Sequence, residues 1–380
     1  MHTLMLISLI IGFYVFLRVV LPLRVRWWWK LVLGVGIGVA AMCFEGLKLL
    51  GGGRIFAPSL PAGVILGYTW LYLLLMVFFV FVLVAQVVRV CMVVWPRWRS
   101  MDKAGRQWWF NRVHMVLLGV AMVSGSVGMY CALCQPRVQY VAIPSDTELR
   151  IAMLSDLHAD AVKGEEFFDR IVEQTNALNP DVVVITGDFV DGSVRERGKN
   201  LLPLRGLKAR LGVYGVPGNH DYFSGYEEWL PFLSYLGVRM LNNECVLLGE
   251  PGVVLAGVTD PSARLFGKEG PNVGKALAGA PEGRQVILLA HQPKVALQAK
   301  ELVDVQLSGH THGGQVLGLT LLTGAYNNGW YSGAYRVGER MLLYVSNGTS
   351  LWSGMPMRFG VPSEITLITL TAAPQESAGR

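Results

Sequence analysis

Residues 182–192 read Val182-Val183-Val184-Ile185-Thr186-Gly187-Asp188-Phe189-Val190-Asp191-Gly192. Four β-branched residues followed by a polar, glycine-bearing turn match a strand buried on both faces. Upstream, Glu165–Leu178 places Phe167, Phe168, Ile171, Val172 and Leu178 at helical spacing, and Pro180 stops the helix. The alternation continues in both directions. Leu149–Leu154, Val213–Val216, Val253–Val258, Val286–Leu289, Val303–Leu307, Met341–Val345 and Ile365–Leu370 read as strands, and Tyr226–Leu236 as a helix. This is an α/β layout, in which loops at the carboxyl ends of strands usually carry the site.

Five polar signatures follow predicted strands: Ser155-Asp156-Leu157-His158, Gly187–Gly192, Gly218-Asn219-His220-Asp221, Ala290-His291-Gln292-Pro293, and Gly309-His310-Thr311-His312-Gly313-Gly314-Gln315. Every His after residue 150 lies inside one of them. Taken singly, each is an ordinary turn or a histidine at a strand end. Taken together, they concentrate oxygen and imidazole donors at one edge of the fold. Such donors suit divalent transition metals of intermediate hardness. No Cys joins the set, which excludes a structural thiolate zinc site. The candidate ligands are too many for one octahedral ion with open positions, but they suit two ions sharing a carboxylate. Two ions about 3.5–4 Å apart can clamp the attacking and leaving oxygens of a displacement at phosphorus.

The series D-x-H, G-D, G-N-H-D, H and G-H-T-H resembles the calcineurin-like metallophosphoesterase superfamily over residues 149–370. The resemblance implies a four-layer β-sandwich flanked by helices, with a dimetal site at the strand ends. It implies that Asp156, His158 and His312 hold one ion, that Asn219, His291 and His310 hold the second, and that Asp188 bridges them. The ions would be Mn, Fe or Zn, and the nucleophile a metal-bridging hydroxide. His220 would be no ligand but an acid or charge stabiliser beside the phosphate, oriented by Asp191. Gly192 stands where the Ser/Thr protein phosphatases of this superfamily carry Arg, which argues against that substrate class. The tail Asn347-Gly348-Thr349, Gly354-Met355-Pro356-Met357-Arg358 and Pro362-Ser363-Glu364-Ile365 resembles the bacterial membrane-associated phosphodiesterase branch. On this basis Arg358 is a candidate contact to substrate phosphate, with a surface ion pair as the even alternative, and Tyr222, Tyr326 and Trp330 read as packing residues more readily than as pocket lining.

Composition explains the remainder. Of 380 residues, 52% are hydrophobic and 16% charged, with mean hydropathy +0.41. Soluble domains carry about 25% charged residues, so the apolar excess has to be uneven and disorder is excluded. Residues 1–140 hold 13 Lys and Arg against only Glu45 and Asp102, whereas the rest hold 20 basic and 25 acidic residues. The basic charge sits between apolar runs. It therefore reads as membrane topology, and no nucleic-acid partner is expected. The runs are Thr3–Leu23, Leu31–Leu50, Val64–Val88 and Val113–Leu133, with Trp27–Trp29, Trp95, Trp98, Trp108 and Trp109 in the connecting segments, as at a bilayer interface. The first run reads as an anchor, not a cleaved leader. Cys131-x-x-Cys134 reads as structural, because redox or metal context is missing. The predicted organisation is a membrane anchor of four transmembrane helices over 1–136, a linker over 137–150, and a catalytic domain over 151–380.

These readings converge on a membrane-tethered dinuclear phosphoesterase acting on phosphodiester or related bonds, with a lipid as a candidate substrate. One alternative is a pyrophosphate hydrolase acting on a UDP-linked lipid A precursor, which needs a cytoplasm-facing site. Another is a non-catalytic membrane scaffold, which predicts eroded ligands, and none is eroded. A transporter would place ionisable groups inside the runs, whereas only Glu45 and His114 lie near run ends. Arg24, Arg26 and Lys30 lie between the first two runs, and Arg89, Arg97, Arg99, Lys103, Arg106 and Arg112 between the last two. The intervening loop has only Lys48 and Arg54. Basic loops face the cytoplasm, so the amino terminus and the catalytic domain are both expected outside.

Overall fold

The computed structural model describes residues 2–53, 56–249 and 252–371, so Arg54 of the charge count lies outside the described residues. The chain divides into two units. The first is Met1–Tyr130 with the short segment Ser353–Met357, and the second is the remainder.

The first unit is helical: α1 (His2–Val15, continued by a π-helical turn Phe16–Val20), α2 (Trp27–Ala41), α3 (Cys43–Leu50), α4 (Ala62–Met92), α5 (Pro96–Ser100) and α6 (Lys103–Leu133). Among the described residues, α4 and α6, each of 31 residues, are the single helices long and apolar enough to cross a membrane. The other two runs do not pass as single spans. The first is the 14-residue α1 continued by its 5-residue π-helical turn, of which Met5–Val20 counts as a shorter apolar helix, and Pro22 disfavours its continuation. The second run breaks at Met42, where α2 and α3 meet at 71° as one broken span or a re-entrant loop. Among the described residues the count is therefore two spans, or three with the bent pair. Val15, Ala40, Ala41, Leu75, Phe78, Val82 and Ala121 form the core of this unit. Positions facing outward are apolar too, including Val84, Val87, Val116 and Val123, which suits hydrocarbon and not water.

The second unit contains twelve strands among the described residues: β1 (Arg137–Pro144), β2 (Leu149–Leu154), β3 (Val182–Ile185), β4 (Val213–Gly215), β5 (Val238–Met240), β6 (Glu244–Leu248), β7 (Val253–Gly257), β8 (Val286–Leu289), β9 (Val305–Ser308), β10 (Gly333–Val337), β11 (Met341–Val345) and β12 (Glu364–Thr371). They form two mixed six-stranded sheets, ordered β1-β12-β2-β3-β4-β5 and β10-β11-β9-β8-β7-β6. Side chains alternate across each strand. Ile151 and Met153 of β2 point with Ile287 and Leu289 of β8 into a core shared by both sheets. Ala152 and Leu154 point the other way, onto Phe168 and Ile171 of α7 (Glu165–Ala177) and toward Leu201, the last residue of α8 (Val194–Leu201). Two further helices, α9 (Asn219–Phe223) and α10 (Tyr226–Tyr235), cover the same face through Tyr222, Tyr226 and Trp229. Leu288 and Val254 pack against the short helices α11 (Val273–Ala276) and α12 (Ala296–Ala299) on the far side. The order is thus helices, sheet, sheet, helices. A last helix, α13 (Thr320–Tyr326), follows the fifth signature.

The expected linker over 137–150 is corrected. Residues 137–144 pair in parallel with β12, from Arg137 opposite Glu364 to Pro144 opposite Thr371. Only Ile143 of this strand is buried, so it lacks the continuous apolar run that marks an interior strand.

Candidate metal centre

All five signatures lie directly beyond strand ends. Asp156 and His158 follow β2, Asp188 follows β3, Asn219 and His220 follow β4, His291 follows β8, and His310 and His312 follow β9. The site therefore sits over the carboxyl ends of neighbouring parallel strands in both sheets. Asp156, His158, Asp188, His310 and His312 all adopt positive φ, between 45° and 71°. Non-glycine residues rarely do so, and clustered backbone strain of this kind marks functional sites. It turns the side chains inward from turns of one or two residues.

The donors fall into two groups. In the first, His158 Nε2 lies 3.3 Å from His312 Nε2, and Asp156 Oδ1 lies 3.5 Å from His312 Nε2 and 4.0 Å from His158 Nε2. In the second, His291 Nε2 lies 3.2 Å from Asn219 Oδ1, 3.3 Å from His310 Nδ1 and 3.2 Å from Asp188 Oδ2. Asp188 Oδ2 is also 3.7 Å from His158 Nε2, so one carboxylate oxygen faces both groups. Two ligands about 2.1 Å from a cation and 90–109° apart are separated by about 3.0–3.4 Å. Most of the observed spacings fit that requirement, and the donor set has the mixed hardness that Mn, Fe or Zn accept.

The surrounding contacts fix which imidazole nitrogens can ligate. His291 Nδ1 donates to the Thr186 carbonyl at 2.8 Å, so Nε2 keeps its lone pair for the site. His158 Nδ1 contacts Asp191 Oδ2 at 2.9 Å, with the same result. The other oxygen of Asp191 holds His220 Nδ1 at 2.5 Å. Asp191 thus orients one candidate ligand and one candidate acid together. His220 is turned edge-on to His158, with ring centroids 4.7 Å apart. The main-chain N–H of His220 donates to Asp188 Oδ1 at 2.8 Å.

Burial dominates the ionisation of these groups, and neighbouring charge decides where it is overcome. Burial alone would raise the Asp188 carboxyl, yet the imidazoles of His291, His220 and His158 hold it well below its usual range. Asp191 behaves likewise, reaching about 2 through His220 and His158. Burial would lower His220, but Asp191 and Asp188 raise it to about 9, and bound cations would pull it back. His310 falls to about 3 through burial and His291.

Glycines allow the segments to meet. A Cβ on Gly309 would collide with Ser155 Oγ and Asp156 Oδ2, and one on Gly218 with Asp188. Gly309→Ala is accordingly expected to cost about 1–3 kcal/mol by overpacking. That corresponds to a Tm lower by roughly 3–10 °C in a domain of this size, with reduced metal content. Thermal unfolding and elemental analysis would check both.

The sequence model for calcineurin-like phosphoesterases matches residues 149–314, which include four of the signatures whole and the fifth through Gly314. A Danio rerio transmembrane protein with metallophosphoesterase domain is 38% identical over 294 residues, covering 73% of this chain and 67% of that protein. This chain belongs to the calcineurin-like metallophosphoesterases. A Helicobacter pylori metallophosphoesterase is 41% identical over 64% of this chain. The match spans 66% of that relative's own length. An Aquifex aeolicus metallophosphoesterase is 32% identical over 60% of this chain and 87% of its own. Metal-dependent phosphoester chemistry is what the family's domain supplies, and membrane association accords with the Danio rerio relative.

Within this metallophosphoesterase, the three aromatics weighed between packing and pocket lining lie apart from the donors. Tyr222 is buried, stacked near Phe266 and Tyr226. Tyr326 is exposed, and Trp330 packs against the core beside α11 and α12. Clefts of about 490 Å³, lined by Tyr222, Tyr226 and Phe266, and about 650 Å³, lined by Leu230, Pro231 and Met240, include none of the candidate ligands, so cavity size alone does not locate this site.

Arg358 corrects the expectation of a phosphate contact. It is 1% exposed, and its guanidinium donates to the carbonyls of His312, Val361, Asn347 and Ser350. It fastens the loops behind His312. Arg358→Met is expected to strand those buried carbonyls, each costing about 1–3 kcal/mol. Tm should fall while KM for a soluble diester, measured on metal-replete protein, stays unchanged. A raised KM at unchanged Tm would restore the phosphate contact.

Asp221, the last residue of the third signature, is a structural anchor of the site. It accepts from the backbone N–H of Asp188, Phe189 and Gly218 at 2.8–3.0 Å, locking the Asp188 turn onto the start of α9. Its sequence signal is the position of an acidic residue three after Gly218, in the first turn of a helix. Burial, with Asp188 beside it, raises its carboxyl to about 8. Trp352, whose ring lies 5.9 Å from His220, had no such signal.

Proposed function

We propose that this chain is a membrane-tethered, dinuclear-metal phosphoesterase hydrolysing phosphodiester or related phosphate bonds. The observation that carries this reading is the shared placement of Asp188 Oδ2 against His291 and His158. One group would comprise Asp156, His158 and His312, the other Asn219, His291 and His310, with Asp188 common to both. Bound divalent cations would supply positive charge opposite the phosphoryl oxygens and lower the pKa of water. The protein's own part is orientation and proton handling. Asp191 pins His220 through Nδ1, so Nε2 is the edge that offers a proton to the leaving oxygen. Thr186 and Asp191 set the tautomers of His291 and His158. The backbone of the Asp188 turn is held by Asp221, so the bridging carboxylate needs no rearrangement on binding. The test is a panel of nitrophenyl phosphate mono- and diesters against the full chain in detergent, reconstituted with Mn, Fe or Zn. Diester hydrolysis abolished by chelation and restored by metal is the expected result, and metal-independent hydrolysis would sink the reading.

We also place the catalytic domain on the extracytoplasmic side. Arg89 near the end of α4, Arg97 and Arg99 between the two long apolar helices, and Lys103, Arg106 and Arg112 in the amino-terminal part of α6 face Asp102 as the one acid among them. That bias favours the cytoplasm, and α6 would then run outward to the domain. Carboxyl-terminal fusions are expected to give active alkaline phosphatase and dark green fluorescent protein. The reverse pair would put the site in the cytoplasm.

A further inference from the structure

The loop that carries His310 and His312 continues into a run of exposed apolar side chains. Leu317, Leu319, Leu321, Leu322 and Tyr326 are each between 52% and 77% exposed. Phe359 joins them at 47%, because the Leu317 N–H donates to the Phe359 carbonyl at 2.9 Å. The patch is attached to the site on two sides. Gly314, two residues beyond His312, touches Thr320 at the start of α13 so closely that a Cβ there would meet its main chain at 2.7 Å. Thr311 Oγ1 donates to the Tyr331 carbonyl at 2.7 Å, just past the end of α13.

Scattered exposed leucines need no explanation, but a contiguous large apolar patch marks an interaction surface. Two observations choose its occupant. From Gln315 to Tyr335 the chain has no charged side chain, whereas a protein-facing rim is normally polar and charged. Three residues, Cys134–Pro136, separate the end of α6 from β1. Three residues span at most about 10 Å, so the start of β1 stays near the membrane surface if α6 crosses it.

We infer that Leu317–Tyr326 with Phe359 forms a lip inserted into the lipid surface beside the metal centre, through which the site draws phosphate esters from lipid headgroups. This deepens the proposed function, and only its substrate half rests on that reading. Large apolar side chains without nearby charge enter the headgroup and acyl boundary favourably.

The test uses the full chain in phospholipid nanodiscs carrying Leu321→p-benzoylphenylalanine, with Leu265→p-benzoylphenylalanine as comparison. Leu265 is equally exposed but sits beside Arg264 and near Lys268. After irradiation, a lipid adduct at position 321 and none at 265 is expected. An adduct to a second copy, an adduct to the chain's own helices, or no adduct at 321 would each overturn the lip. Neither outcome depends on catalysis. For substrate access, the double variant Leu321→Asp, Leu322→Asp in proteoliposomes is expected to lose roughly tenfold or more in kcat/KM on a vesicle-embedded phosphodiester. Hydrolysis of a soluble nitrophenyl diester should stay within about twofold. Equal losses on both substrates would overturn the lipid route. A wild-type protein inactive on every ester would overturn the proposed function while leaving the adduct result standing.

Discussion

Asp188→Asn is expected to lower turnover by roughly 1000-fold or more and to leave one ion or none bound. Asp188 Oδ2 is the atom within 3.2 Å of His291 and 3.7 Å of His158, so both groups depend on its charge. An amide keeps the shape and can still accept from the His220 N–H through one oxygen, but it removes the negative charge between two cations. Metal ions contribute several kcal/mol of transition-state stabilisation, and each 1.36 kcal/mol is tenfold in rate. Elemental analysis alongside diester turnover reads both consequences. A variant with wild-type rate and two ions would remove Asp188 from the bridging position. Loss of rate with both ions retained would make its contribution electrostatic only.

His220→Ala should behave differently, keeping both ions yet losing about 10²–10⁴ in rate, the usual worth of a positioned acid. His220 reaches the site from α9, and its Nδ1 is committed to Asp191 at 2.5 Å. Leaving groups of low pKa need little protonation, so the deficit should shrink on nitrophenyl esters and grow on alkyl esters. A flat deficit across that series would assign His220 to charge stabilisation. Loss of metal in this variant would instead make it a ligand, although the second candidate set is already complete without it.

The fold was legible where strands are buried on both faces. β3 and β8 are unbroken runs of Val, Ile and Leu, β2 and β11 are apolar apart from Arg150 and the Tyr344 hydroxyl, and the expected limits of all four match the structure. The strands that escaped reading, β1, β5, β6 and β10, are the four edges of the two sheets. Each carries a charged residue, namely Arg137, Arg239, Glu244 and Arg336. Edge strands need charge to discourage pairing with other chains, and that same charge erases the apolar pattern. The bend in the second membrane run was illegible for another reason. Apolarity persists straight through Met42, so hydropathy cannot sense the 71° break there.

Within the site, the candidate ligands that the fold brings together were readable from residue type and strand ends. Groups that act through others were less so. The Thr186 carbonyl that sets His291 carries no side-chain signal at all. Asp221 was visible but looked like one more acid. Arg358 was read as a phosphate contact from the resemblance of its tail segment, whereas four carbonyls take the N–H groups of its two terminal nitrogens.

Anomalous X-ray diffraction from manganese-loaded crystals of the full chain tests the central claim most directly. Two peaks about 3.5–4 Å apart are expected, one contacted by Asp156, His158 and His312, the other by Asn219, His291 and His310, with Asp188 touching both. A single peak, or two peaks that share no carboxylate, would contradict the account.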